Sequence, residues 1–179
     1  MKISKKIEPI VNGLSAGLVI ALLALLTFET SFSLPWLVFS FGSSALILFV
    51  FYDSEFAQPK NIFFGHLISI ILGFLINKLI GISFVSLGLS VGVCVSVMMY
   101  LKIVHPPAAA NPLIALFADV SYEFILFPVV TGSIVLIILS YIINRFILGR
   151  RLNIKKFNST PRSKNLKPKR KKTKKNMEV

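Results

Sequence analysis

The chain is poor in the residues that carry chemistry. It has one cysteine, two histidines and seven acidic residues among 179. A lone Cys94 excludes an internal disulfide and a C-x-x-C knuckle. His66 and His105 stand too far apart for an H-x-x-x-H metal spacing. A serine–histidine–aspartate set and a glycine-rich phosphate loop are also missing, so we expect no enzyme, no metal and no cofactor. Charge is scarce except in one place. Residues 1–149 hold seven basic and six acidic side chains, and the other thirteen lysines and arginines lie in 150–175 with no acid among them. The formal charge of +13 is therefore a property of the tail. Basic charge can bind nucleic acid, but a near-neutral apolar body makes that partner a poor fit.

Apolar residues are abundant. They make up 55% of the chain, with a mean hydropathy of +0.79, which excludes an ordinary soluble domain. The apolar runs cover 10–28, 34–52, 62–82, 84–104 and 124–148, long enough in several cases for a bilayer. The first follows Lys2, Lys5 and Lys6 and has a signal-peptide look, with Ser31-Phe32-Ser33 as a small-x-small site. Its counterpart later in the chain argues for a retained helix. Trp36 and Tyr52, at the ends of the second run, suit membrane interfaces. Ser86, Gly88, Ser90 and Gly92 give the fourth run the small side chains that let helices approach in lipid.

The chain is organised around 102–117, which reads K-I-V-H-P-P-A-A-A-N-P-L-I-A-L-F. Pro106 and Pro107 remove two backbone donors and push their predecessors out of the α region. A helix arriving from residue 84 is expected to stop at about Val104. Pro112 interrupts again, and 106–117 is short of the roughly 20 residues a crossing helix needs. Broken backbone in a membrane persists only where protein buries it or it lines a wet cavity.

The halves correspond at an offset of 67: Leu46-Ile47 with Leu113-Ile114, Gly65 with Gly132, and Asn77-Lys78 with Asn144-Arg145. With a shift of four, Ser15, Gly17 and Leu18 fall on Ser86, Gly88 and Leu89. Each half would be helix, short broken element, helix. The expected fold is all-α and membrane-integral, with four transmembrane helices, two re-entrant elements (34–52 and 106–117) and a two-fold internal repeat, parallel in sense. Asp53, Glu55, Asp119 and Glu123 would then share the outer side. Lys2, Lys5, Lys6, Lys78, Arg145 and the tail would share the cytoplasmic side of an inner or plasma membrane, with both termini inside. Lys60 and Lys102 are the exceptions. A competing arrangement, in which 34–52 spans, requires 106–117 to cross as well. The parts are a cytoplasmic segment 1–9, a transmembrane domain 10–148 and a basic tail 149–179 whose composition suits disorder.

Three motifs, F-G-S-S-A-L-I-L at 41–48, D-S-E-F-A-Q-P-K-N at 53–61 before Gly65-His66-Leu67, and V-H-P-P-A-A-A-N-P-L-I-A at 104–115, resemble the integral membrane HPP family. The resemblance covers most of 10–148. Similar proteins usually read A-G-A-T-A after the prolines, and here Ala109 takes the glycine position. The resemblance implies a four-helix membrane protein, and cyanobacterial and chloroplast members look like nitrite transporters.

The residues themselves suit a small anion, which needs donors and positive potential. Broken-helix N–H groups at Ala108, Ala109, Ala110 and Asn111 could provide donors, with the hydroxyls of Ser43 and Ser44 from the other half. Lys102 and His105 are three apart, and one helical turn would turn both to one cavity. The candidate site is thus Ser43, Ser44, Lys102, His105, Ala108, Ala109 and Asn111, around the motif His105-Pro106-Pro107. His66, at the outer start of a helix, reads as interfacial. The expected function is a transporter or channel for a small anion such as nitrite. The alternative is a membrane receptor or scaffold whose tail binds anionic headgroups or a partner. The pathway could also form between copies in a homo-oligomer.

Overall fold

The computed structural model describes residues 4–28 and 36–150, which form helices joined by short turns, with no strand among them. Six elements carry it: α1 (Glu8–Phe28), α2 (Trp36–Val50), α3 (Pro59–Ile80), α4 (Phe84–Tyr100), α5 (Asn111–Phe117, preceded by a 3₁₀ segment Pro106–Ala110) and α6 (Tyr122–Ile147). Of these, α1, α3 and α6 are long and apolar enough to cross a membrane, and α2 and α4 are shorter apolar helices.

Local chemistry sets the boundaries. Pro59 opens α3 at the first turn, where its missing N–H costs nothing, and Gly81 closes it at φ 73°. Ser83 and Ser86 form a reciprocal capping box at the start of α4. That helix ends at Tyr100, four residues before the expected stop. Lys102 turns left-handed at φ 55°, and Ile103 N–H reaches back to Met98 O at 3.0 Å, a Schellman-type ending. Pro128 sits in the α6 interior, where Ile125–Thr131 widens to a π-helix that absorbs the missing donor and the ring.

The bundle is polar within and apolar without. Ser40, Ser44, His66, Ser69, Ser86, Ser90, His105, Asn111 and Asn144 are buried, while Phe39, Leu79, Phe84, Leu126 and Phe146 are largely exposed. Such a surface belongs in hydrocarbon, where small and polar side chains mediate helix contacts. Ser86, Ser90 and Cys94 recur every fourth residue on the buried face of α4. Glycines allow the closest approaches. A Cβ added at Gly73 would stand 2.5 Å from Pro112 Cα.

The contacts fix the direction of every element. Arg150 donates to Phe49 O at the end of α2, and to Glu8 Oε1 and Asn12 Oδ1 at the start of α1, each at 2.8 Å. Its guanidinium also lies 4.4 Å from the Tyr52 ring centroid. So α1 and α2 are antiparallel, and α2 ends where α1 begins. Gly65 faces His105 and Ala108, Gly73 faces Pro112 and Ala115, and Asn77 bonds Asp119, so 105–119 runs alongside α3 in the same direction.

Two expectations are corrected here. Among the described residues neither short element doubles back: α2 is one continuous helix ending beside Arg150, and 106–117 continues alongside α3 towards Lys78. Asp53 and Glu55 consequently lie at the Arg150 end, whereas Asp119 lies at the opposite end, paired with Lys78 at 3.2 Å. Three elements per half also make α1 and α4 run in opposite senses, so any correspondence between the halves is inverted rather than parallel. A further change follows for charge. Lys60 and Lys102 join Arg150 at one end, and Lys78 becomes the exception, beside a carboxylate.

This arrangement predicts a labelling result. In a Cys94→Ser background, Asp53→Cys and Ser121→Cys, both exposed positions, are expected to react with an impermeant thiol reagent from opposite sides of the membrane. Labelling of both from one side would restore the re-entrant topology.

Candidate functional site

The site forms where 105–111 lies against α2 and α3. His105 precedes a proline and is therefore extended, at φ −132° and ψ 99°. Its ring passes beneath α3 at Gly65, where an added Cβ would meet His105 Cβ at 2.9 Å. The absence of a side chain at Gly65 lets the HPP segment reach the neighbouring His66. The two imidazole centroids are 5.1 Å apart, and Phe41 of α2 meets His66 edge-on at 4.9 Å.

Ser44, His66, His105 and Asn111 are each fully buried. Ser44 Oγ lies 3.0 Å from His66 Nε2 and 2.8 Å from His105 Nε2, bridging the two rings, and is 3.0 Å from Ser40 O. His105 Nδ1 donates to Phe56 O at 2.8 Å. Asn111 Nδ2 donates to His66 O at 3.1 Å and to His66 Nδ1 at 3.0 Å. Three helices (α2, α3 and α5), the extended His105 and the 3₁₀ turn Glu55–Ala57 thus meet in one connected polar network. Buried networks of this kind hold their members in place only when nearly every group is satisfied. Here one atom is not: Asn111 Oδ1 is buried without a partner.

The candidates chosen from sequence separate accordingly. Ser44, His105 and Asn111 come together, and Ala108, fully buried, packs against Gly65 beside them. Ala109 is partly buried and borders the Cys94–Met98–Ile103–Ala108 cluster. Pro107 is buried and Pro106 exposed. Ser43 is exposed on the outer face of α2, since adjacent helical residues point about 100° apart. Lys102 is exposed at the bundle end. It does not share a cavity with His105, because the left-handed turn at Lys102 replaces the helical turn that would have aligned them.

His66 is the residue that sequence reasoning misplaced. It stands at the centre of the network rather than at an interface. A pointer existed, because an ionisable side chain inside an apolar helix is a functional candidate by cost alone. Asn144 was also passed over as a structural group. It donates to Leu48 O at 3.1 Å, as Asn77 does to Ala115 O at 3.4 Å.

Comparison with known proteins places the chain in a family. The transmembrane region of the HPP family matches residues 2–153. Two Dictyostelium discoideum proteins described as transmembrane proteins are each 29% identical to it, over 118 and 148 residues, or 62% and 77% of this chain. The chain spans less than half of each relative's own length, 41% and 48%. No solved structure gives a significant match. With the family's transmembrane region matched nearly from end to end of the bundle, and the His-Pro-Pro segment at its polar centre, this chain belongs to the HPP transmembrane family.

Proposed function

We propose that the chain moves a small solute across the membrane, past the Ser44–His66–His105–Asn111 network, between two halves related by inverted duplication. The observation that carries this is the full burial of Ser44, His66, His105 and Asn111 in one network inside a bundle whose outer surface is apolar. Buried polar groups at such positions are expensive and are kept for a purpose. Equivalent contacts across the halves support the inversion. Asn77 donates to Ala115 O, and 67 residues on, Asn144 donates to Leu48 O, whose own counterpart is Ala115. Gly65 abuts Ala108, and its counterpart Gly132 abuts Phe41, the counterpart of Ala108. Inverted repeats with a site at their junction are a recurring transporter design.

The solute class proposed is a small anion, with nitrite the first to test on the family resemblance. The bundle end holding Lys60, Lys102 and Arg150 would face the cytoplasm. In the labelling experiment above, Ser121→Cys is then the position reached from outside.

The test is flux into liposomes. Purified protein is expected to carry at least one of nitrite, nitrate, formate and chloride faster than protein-free liposomes. Ser44→Val, which removes the bridge between the two rings, is expected to lower that flux about tenfold, since an unsatisfied buried partner costs about 1–3 kcal/mol. Ser43→Val, on the outer face, is the control. Equal flux from Ser44→Val and the parent would move the pathway elsewhere.

A further inference from the structure

We propose that His105 is a proton-binding site, and that the solute crosses together with one proton. This inference rests on the transport reading for its second half only. Its first half comes from counting hydrogens in the network.

Asn111 Nδ2 can only donate, so His66 Nδ1, which faces it, carries no hydrogen. Turning the amide over would set Asn111 Oδ1 against His66 O, two acceptors at 3.1 Å. A neutral His66 therefore holds its hydrogen on Nε2 and gives it to Ser44 Oγ. At the other end Phe56 O can only accept, so His105 Nδ1 carries a hydrogen. A neutral His105 then presents a bare Nε2 lone pair to Ser44.

Ser44 has one hydrogen and two claimants for it, His105 Nε2 at 2.8 Å and Ser40 O at 3.0 Å. With both rings neutral the hydrogen serves only one of them, and Ser40 O, which already accepts the α2 backbone N–H of Ser44, can go without it. An added proton on His105 Nε2 lets both contacts form. That nitrogen then donates to Ser44 Oγ, which accepts from both rings and turns its own hydrogen to Ser40 O. Every polar contact around the two rings is then satisfied at the distances found. The Ser44 hydroxyl is a two-position rotor that reports the state of His105. His66 cannot take the proton at the same cost, because its free nitrogen already receives the Asn111 amide hydrogen.

The surroundings determine what must accompany the proton. From α2 the group facing His105 is Ser44, and from α3 they are Gly65 and His66, the titratable neighbour. The 55–57 turn presents Phe56 O, with the Glu55 side chain exposed beside it. On the chain's own approach, Ile103 is buried and Lys102 exposed, and Lys60 at the start of α3 is partly buried. A proton on His105 adds a positive charge at a fully buried position, where an isolated charge is costly. A small monovalent anion entering beside it restores neutrality, so the pair crosses without net charge.

The chain has two histidines, so ¹⁵N-histidine labelling of the full protein in nanodiscs gives two rings to follow. On acidification, one ring is expected to become an imidazolium while the other stays a neutral Nε2–H ring. His105→Gln, which keeps a side-chain donor and acceptor, is expected to remove the titrating ring's signal. Protonation of His66 first, or two neutral rings at every pH where the protein stays folded, would overturn the proton site. In liposomes the probe is nitrate, whose acid does not leak as nitrous acid does. A gradient of one pH unit, alkaline inside, is expected to accumulate it about tenfold, the ratio set by one coupled proton. His105→Gln is expected to lose that response. Nitrite or nitrate flux in the parent that ignores the gradient would overturn the coupling and leave the transport reading standing. A titrating His105 with no flux of any probe would instead overturn the transport reading, and the coupling with it.

Discussion

Replacing His66 with leucine is expected to lower solute flux at least about tenfold, while Lys102→Gln stays within about twofold of the parent. The two residues exchange the standing that sequence spacing suggests for them. His66 is fully buried and bonds Ser44 Oγ through one ring nitrogen and Asn111 Nδ2 through the other. Leucine at this position leaves both partners short of a contact in a place water does not reach, at a cost of about 1–3 kcal/mol each. Lys102 is exposed and ends α4 in a left-handed turn, so a neutral side chain of similar length changes little there. Flux per folded protein, with the folded amount read from size-exclusion chromatography, is the measurement. Parental rates from His66→Leu would remove the network from the pathway.

Gly73→Ala is expected to destabilise the bundle by about 3 kcal/mol, the upper part of the range for overpacking a tight contact. The added Cβ would stand 2.5 Å from Pro112 Cα, 3.0 Å from Pro112 O and 2.9 Å from Ala115 Cβ. Two of these three atoms are backbone, and the proline ring stiffens that backbone further, so no rotamer change relieves the clash. The displacement would carry α5 away from α3, and with it Asn111, one residue before Pro112. Flux should therefore fall together with the melting temperature in detergent. Gly88→Ala is the comparison: nothing lies within 4 Å of its added Cβ, and alanine gains helix propensity of about 1 kcal/mol. If Gly73→Ala melts with Gly88→Ala, α3 and α5 are not packed as described.

Much of this protein is legible along the chain. Membrane residence follows from composition, because so apolar a chain has few polar side chains with which to cover a soluble surface. The break at His105-Pro106-Pro107 follows from two missing donors and two restricted predecessors, and a broken backbone in lipid must be buried, which makes His105, Ser44 and Asn111 candidates from the chain alone. What the chain alone left open is the direction of its two short elements. Nineteen residues at 34–52 are long enough for a crossing, whereas twelve at 106–117 are short for one and long for a simple dip. Charge counting left two topologies open because Lys60, Lys78 and Lys102 each fit one and offend the other. Side-chain facing was equally hidden. In water an apolar stripe marks the buried face of a helix, but in hydrocarbon both faces are apolar, and α2 and α3 show little periodicity to separate Ser43 from Ser44 or to turn His66 inward. Tertiary contacts decided these matters. Arg150 clamps the end of α2 to the start of α1, Lys78 meets Asp119 at the far end, and Gly65 admits His105 to the side of His66. Each is a meeting of residues more than 35 positions apart, and only the packed bundle brings such residues together.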